Sequence, residues 1–315
     1  MKSLFLQKDV CSGDGFQKKL FCFLFLYLLL CPLVPLVAQD RIPDLPSPQP
    51  LLADADTLLS PGQRTDTLSL PPLLLPTAFR GLQENCLDDP SGALHPFWEK
   101  LRLLRLGLST DTVRVVHVGD SHIRGHIFPR TAGQLMQQVF GPLAHTDMGI
   151  NGAFCFTFAR PDRVDAIAAL RPDLLILSFG TNESHNRRYD PQLHRRQMDE
   201  LVRLLRQSLP GVPMLVTTPP GSYESLRQRG RRRTYKINLR TAAAVQVIRS
   251  SADANGLALW DLYHILGGPS RACLNWQEAG LLRPDHVHYM PDGYRLQGEL
   301  LFQALLKDYN DYVQH

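Results

Sequence analysis

The run "DLLILSF", residues 173–179, is an almost unbroken apolar stretch and predicts a strand covered on both faces. "VRVVHV" (113–118) is a shorter β-rich run, "PMLVTT" (213–218) is another, and "LALWD" (257–261) is strand-like. Between these runs the period lengthens. "HPFWEKLRLLRLGL" (95–108) sets Phe97, Leu101, Leu104 and Leu108 at helical spacing, and "RTAGQLMQQVF" (130–140) is also helical. A polar helix is expected over 191–208, and one over 241–256 stops at Asn255-Gly256, where glycine relieves the left-handed cap. A last helix begins near Pro291 and aligns Leu296, Leu300, Leu301, Ala304 and Leu305 on one face. Strands alternating with helices predict an α/β domain on a mainly parallel, five-stranded sheet. The glycine-bearing turn "MGINGA" (148–153) stands where the second strand should end.

Before residue 91 this rhythm is missing. Residues 39–80 hold eight prolines and no sustained period, so 39–90 reads as a Pro/Leu-rich linker or an extended segment lying on a domain that spans 91–315. Further upstream, Lys18 and Lys19 precede the uncharged "LFCFLFLYLLLCPLVPLVA" (20–38). A basic start, an apolar centre, Pro32 and Pro35, and Ala38 before a polar pair read as a signal peptide over 1–38. That expectation places the protein in the periplasm, in the cell envelope or outside the cell. The alternative is membrane association through the same segment.

Composition narrows the field. Without the first 38 residues the chain keeps 30 basic against 28 acidic residues, which is not the balance of a nucleic-acid binder. The densest basic run, "LRQRGRRR" (226–233), reads as a solvated loop, with contact to an anionic polymer or headgroup as the alternative. Three cysteines lie within the signal; Cys86, Cys155 and Cys273 remain, and pairing any two leaves one over. No CxxC or Cys/His spacing suggests structural zinc, so neither metal nor cofactor is expected.

In parallel α/β sheets, ligands bind beyond the carboxyl ends of the strands. "GDSH" (119–122) follows the first strand, "GINGA" (149–153) the second, "GTNES" (180–184) the third and "TPPGS" (218–222) the fourth. "RPDHVH" (283–288) precedes the last helix. Every chemically suggestive cluster therefore falls on one edge. A serine nucleophile needs a base within reach and donors aimed at the oxyanion. Ser121 sits at a strand-to-helix turn where its own N–H can point inward; Gly152 offers a second N–H and Asn182 an amide. His122 and Asp120 are sequence neighbours of Ser121, so their side chains diverge from it. Asp285 and His288, three apart, are better placed, the carboxylate holding Nδ1–H and leaving Nε2 for Ser121. Asp120, His122, Thr181, Pro220, Gly221 and His286 are left as pocket residues.

Taken in order, "GDSH", the glycine of "GINGA", "GTNE" and "DHVH" resemble the four blocks of the SGNH/GDSL hydrolases, over about residues 97–310. The resemblance implies a flavodoxin-like three-layer α/β/α sandwich and metal-free ester hydrolysis. It places the catalytic serine on Ser121, the oxyanion groups on Ser121, Gly152 and Asn182, and the Asp–x–x–His pair on Asp285 and His288. His122 stands where the family name has Leu, and Glu183 where Asp is usual. These departures resemble a bacterial branch of cell-envelope acylhydrolases related to peptidoglycan O-acetylesterases. The expected substrate is an O-acetylated polysaccharide, with a lysophospholipid or other lipid ester as the alternative. Two other classes compete. A metal-dependent phosphoesterase could draw on Asp120, His122, His126, His185, His286 and His288, but position 123 is Ile and "GTNE" lacks a histidine. A non-catalytic envelope-binding protein could use Trp276, Tyr289 and Tyr223 as a sugar-stacking wall, although aromatics near a pocket more often pack the core.

Overall fold

The computed structural model describes residues 67–226 and 233–315; the expected signal and most of the basic run lie outside them. The apolar runs become the strands β1 (Val113–Gly119), β3 (Leu174–Ser178), β4 (Met214–Thr217) and β7 (Ala258–Trp260). With β2 (Leu143–Gly149) they form one sheet in the order β2-β1-β3-β4-β7, every neighbouring pair parallel. Counted within this sheet the order is 2-1-3-4-5, the flavodoxin-like arrangement, and the chain reverses its winding between β1 and β3. β2 is the edge strand, "LAHTDMG", with only Leu143 fully buried, so no hydrophobic run announces it.

Alternation along the strands divides the core into two layers. Val115, Leu174 and Ile176 face α1 (His95–Arg105), α3 (Ile127–Phe140), α10 (Gly268–Glu278) and α11 (Pro291–Gln314). Val116, Val118, Leu175 and Leu177 face α5 (Pro161–Ala169), α7 (Pro191–Ser208) and α8 (Arg240–Ala254). The result is helices on both faces of a parallel sheet, as continuous apolar strands require. Helix α1 ends at Arg105, three residues short of the expected stretch, because Gly107 turns through positive φ. α3 starts three residues earlier than its apolar period suggests.

One feature was not evident from hydrophobic pattern. The short strands β5 (Tyr223–Leu226) and β6 (Thr234–Ile237) pair antiparallel outside the main sheet. The Pro/Leu-rich stretch, from residue 67 onward, lies along the domain. Leu68 and Phe79 are buried in the core, and Asp88 bridges to Leu259 beside β7. Asn310 and Leu68 exchange two hydrogen bonds, at 2.8 and 2.7 Å. Asn85 is the tightest tie: its Nδ2 donates to the Leu300 carbonyl at 2.8 Å, and its Oδ1 accepts from Trp260 Nε1 at 3.0 Å. Trp260 is fully buried, so its N–H has no water to turn to. Asn85→Ala is expected to cost about 1–3 kcal/mol, because two buried polar groups lose their partner. Urea unfolding reads this out, and an unchanged midpoint would mean the tie contributes nothing.

Candidate active site

Ser121 is fixed by a close crossing of backbones. It opens α2 (Ser121–Arg124), and Asp120 caps that turn by accepting the His122 N–H at 2.9 Å. The turn lies hard against the end of β2. A Cβ at Gly149 would stand 2.0 Å from the Arg124 amide nitrogen, and one at Gly119 2.6 Å from the Ser178 carbonyl oxygen. Only glycine lets the chain pass at these two points. The helix begins at the winding reversal between β1 and β3, where open α/β sheets leave a crevice.

Ser121 Oγ lies 2.9 Å from His288 Nε2, and His288 Nδ1 lies 2.9 Å from Asp285 Oδ2. With Nδ1–H donating to the carboxylate, Nε2 is left as the acceptor for the serine hydroxyl. Asp285 Oδ1 also accepts the Val287 and His288 amides, both at 2.9 Å. Partial burial pushes the Asp285 carboxyl up, but these hydrogen bonds outweigh it and hold the group at about 2. The carboxylate is therefore charged over the whole neutral range and keeps the imidazole oriented.

Gly152 follows β2, and Asn182 follows β3. Gly152 is exposed at φ +73°, and its turn is closed by the Ala153 N–H donating to Ile150 at 3.1 Å. Asn182 lies in α6 (Thr181–His185), which Gly180 enters at φ +112°. Its Nδ2 donates to the Ala153 carbonyl at 2.9 Å and to Asp120 Oδ2 at 3.3 Å. The next residue, Glu183, accepts the Gly180 and Cys155 amides at 2.9 and 2.7 Å, tying α4 (Cys155–Phe158) to α6. Thus the departure at position 183 serves as a backbone brace.

The pocket residues have distinct places. His122 is buried, shares a hydrogen bond with Tyr294 Oη at 3.0 Å, and lies 5.3 Å from the His288 ring. Burial, reinforced by His288, lowers its pKa to about 3, so it stays neutral beside the triad-like chain. Thr181, Asp120, His122 and Pro220 line a small cavity of about 20 Å³ beneath the serine. The Gly221 carbonyl accepts the Tyr289 hydroxyl at 2.6 Å. His286, at φ +57°, stacks on Tyr235 at 4.1 Å and accepts the Tyr223 N–H at its carbonyl, docking the β5–β6 hairpin beside His288. Trp276, Tyr289 and Tyr223 are buried and form no sugar-stacking wall; Trp276 and Tyr289 pack edge to face at 4.9 Å. His126 pairs with Asp147 at 2.6 Å and His185 with Ser222 at 2.9 Å. Cys86, Cys155 and Cys273 are all free thiols. Sequence reasoning missed Tyr294 and the Ala153 carbonyl, whose roles come from packing that no local spacing encodes.

A family model, GDSL-like Lipase/Acylhydrolase, matches residues 117–296, which contain all of these groups. No curated relative matches the chain. Among solved structures, a peptidoglycan O-acetylesterase aligns at 19% identity with a TM-score of 0.64, over 71% of this chain and 99% of its own. The aryl esterase of M. smegmatis aligns at 17% identity and TM-score 0.45, over 62% of this chain and 98% of its own. A carbohydrate acetylesterase from Sinorhizobium meliloti aligns at 14% identity and TM-score 0.44, over 62% and 98%. At 19% identity the likeness to the O-acetylesterase is one of fold.

Asp120 generates a pH prediction. Burial pushes its carboxyl up to about 8; the His122 amide pulls the other way and Glu183 adds to the rise. An acid with a higher pKa folded than unfolded holds its proton more tightly in the folded state. Its presence therefore lowers stability as pH climbs from the ordinary carboxylate range toward about 8. Asp120→Asn removes that slope, so its Tm should gain on the wild type between about pH 5 and about pH 8. Parallel Tm curves would show that Asp120 is ionised throughout.

Proposed function

This chain belongs to the GDSL-like lipase/acylhydrolase family of ester-hydrolysing enzymes, and from that premise we propose that it is an exported serine esterase releasing acetyl groups from a polysaccharide. The observation that carries the mechanism is the continuous chain from Ser121 Oγ through His288 to Asp285, each link 2.9 Å long. Ser121 attacks the ester carbonyl while His288 Nε2 accepts its proton. The Asp285 carboxylate stabilises the imidazolium that results. The Ser121 and Gly152 amides and the Asn182 side chain hold the tetrahedral oxyanion. Of the two bonds from Asn182 Nδ2, the longer one to Asp120 is the one that yields a hydrogen to the oxyanion. His288 then protonates the leaving alcohol, and water releases the acyl group by the reverse steps.

The substrate class is a narrower reading. It is supported by the "GDSH…GINGA…TPPGS" sequence and by a structural neighbour named as a peptidoglycan O-acetylesterase. Export rests on the pattern of residues 1–38, and N-terminal sequencing of the secreted or envelope fraction tests it.

Ser121→Ala and His288→Ala should each lower turnover of a short p-nitrophenyl ester by about 10³-fold or more, with the fold unchanged by circular dichroism. Full activity in Ser121→Ala would remove the mechanism. Asp285→Asn should cost about 10²–10⁴-fold, through loss of the held tautomer. His286→Ala should retain turnover, and its inactivity alongside an active His288→Ala would reassign the base. On natural substrates, acetate released from acetylated polysaccharides should exceed fatty acid released from long-chain lipid esters. The reverse order selects the lipid reading.

A further inference from the structure

The side-chain cluster behind the oxyanion loop has no part in the ester chemistry. Cys155 on α4, Glu183 on α6 and His194 on α7 bring one sulfur, one carboxylate oxygen and one ring nitrogen within 4.8 Å of one another. All three are buried, at 0%, 3% and 2% exposure. His194 Nδ1 is bonded to the Tyr189 hydroxyl at 2.9 Å, whereas its Nε2 is buried with no partner. A histidine held through one ring nitrogen, with the other unused in a dry site, has the arrangement of a metal ligand with its outer-shell support.

We propose that Cys155, Glu183 and His194 bind a single divalent cation of the zinc class, behind the oxyanion loop and away from the reacting atoms. Mixed sulfur, nitrogen and oxygen donors suit this borderline ion, and three protein ligands leave one tetrahedral position for water. Metal–ligand bonds of about 2.0–2.3 Å require the cluster to contract by about 1 Å or less. Glu183 remains free to ligate, because each of its oxygens accepts one backbone N–H and keeps a second lone pair. On binding, the Cys155 thiol gives its proton to solvent. Thiolate, carboxylate and dication then sum to zero, which reduces the cost of burying them. An open groove of about 510 Å³, lined by Phe156, Thr157 and Gln197, lies between α4 and α7, the helices that carry Cys155 and His194.

The test uses the untagged full chain, titrated with Zn²⁺ and separately with Cd²⁺. The expected result is one equivalent bound, a raised Tm and, with Cd²⁺, a near-ultraviolet sulfur-to-metal absorption band. Cys86→Ser should keep the band and Cys155→Ser should lose it. His194→Asn should weaken affinity by about tenfold or more. If Cys155→Ser does not fold, His194→Asn carries the comparison. Absence of stoichiometric binding, or wild-type affinity in the folded variants, overturns the proposal.

Discussion

A side chain has no room at position 149, and the place of Ser121 follows from that exclusion. The end of β2 runs so close to α2 that a methyl group there would meet the Arg124 amide nitrogen. Gly119, its register partner on β1, is confined by Ser178 at the end of β3. Three neighbouring strands thus press their ends against one short turn. Ser121 can project over the sheet edge because the backbone beneath it is held from both sides. Loops after β2 and β3 then need only modest reach to bring Gly152 and Asn182 to the same edge.

The Asp285–His288 loop is built on different physics. Asp285, Val287 and His288 form a closed local unit, in which one carboxylate accepts two amides and an imidazole. Such a unit needs little burial to stay ordered, and the Asp285 side chain is 48% exposed. The long-range requirement is only that this loop sit over Ser121. Leu282 bridging to Tyr289, and Tyr289 anchored to the Gly221 carbonyl, meet that requirement.

These two kinds of construction explain what could be read from sequence. The central strands announce themselves because both their faces are buried, and the Asp–x–x–His unit because its contacts are three residues apart. β2 is readable only by position, since an edge strand with one polar face lacks an apolar run. The β5–β6 hairpin was hidden because four-residue strands with exposed side chains carry too little pattern. Prolines marked residues 39–90 as a linker or an extended segment, but nothing in them foretold that Asn85 would satisfy Trp260. The tempting Asp-Ser-His neighbours of "GDSH" separated into a helix cap, a hydroxyl bonded to His288 and a buried ring bonded to Tyr294. Cys155, Glu183 and His194 come from three segments whose spacing repeats no known ligand pattern, so only folding brings them together.

The strap running from Leu68 to Trp98 has a consequence for the order in which the molecule is completed. Leu68 binds Asn310, Asn85 binds Leu300, and Trp98 donates to Asp308 at 2.7 Å, across separations of 242, 215 and 210 residues. Leu68, Asn85 and Trp98 therefore wait, unsatisfied, for partners made 242, 215 and 210 residues later. Closing such loops costs entropy that only the finished interface repays. A nascent chain lacking residues 300–310 would expose Trp98 and Leu68, a surface suited to chaperone capture.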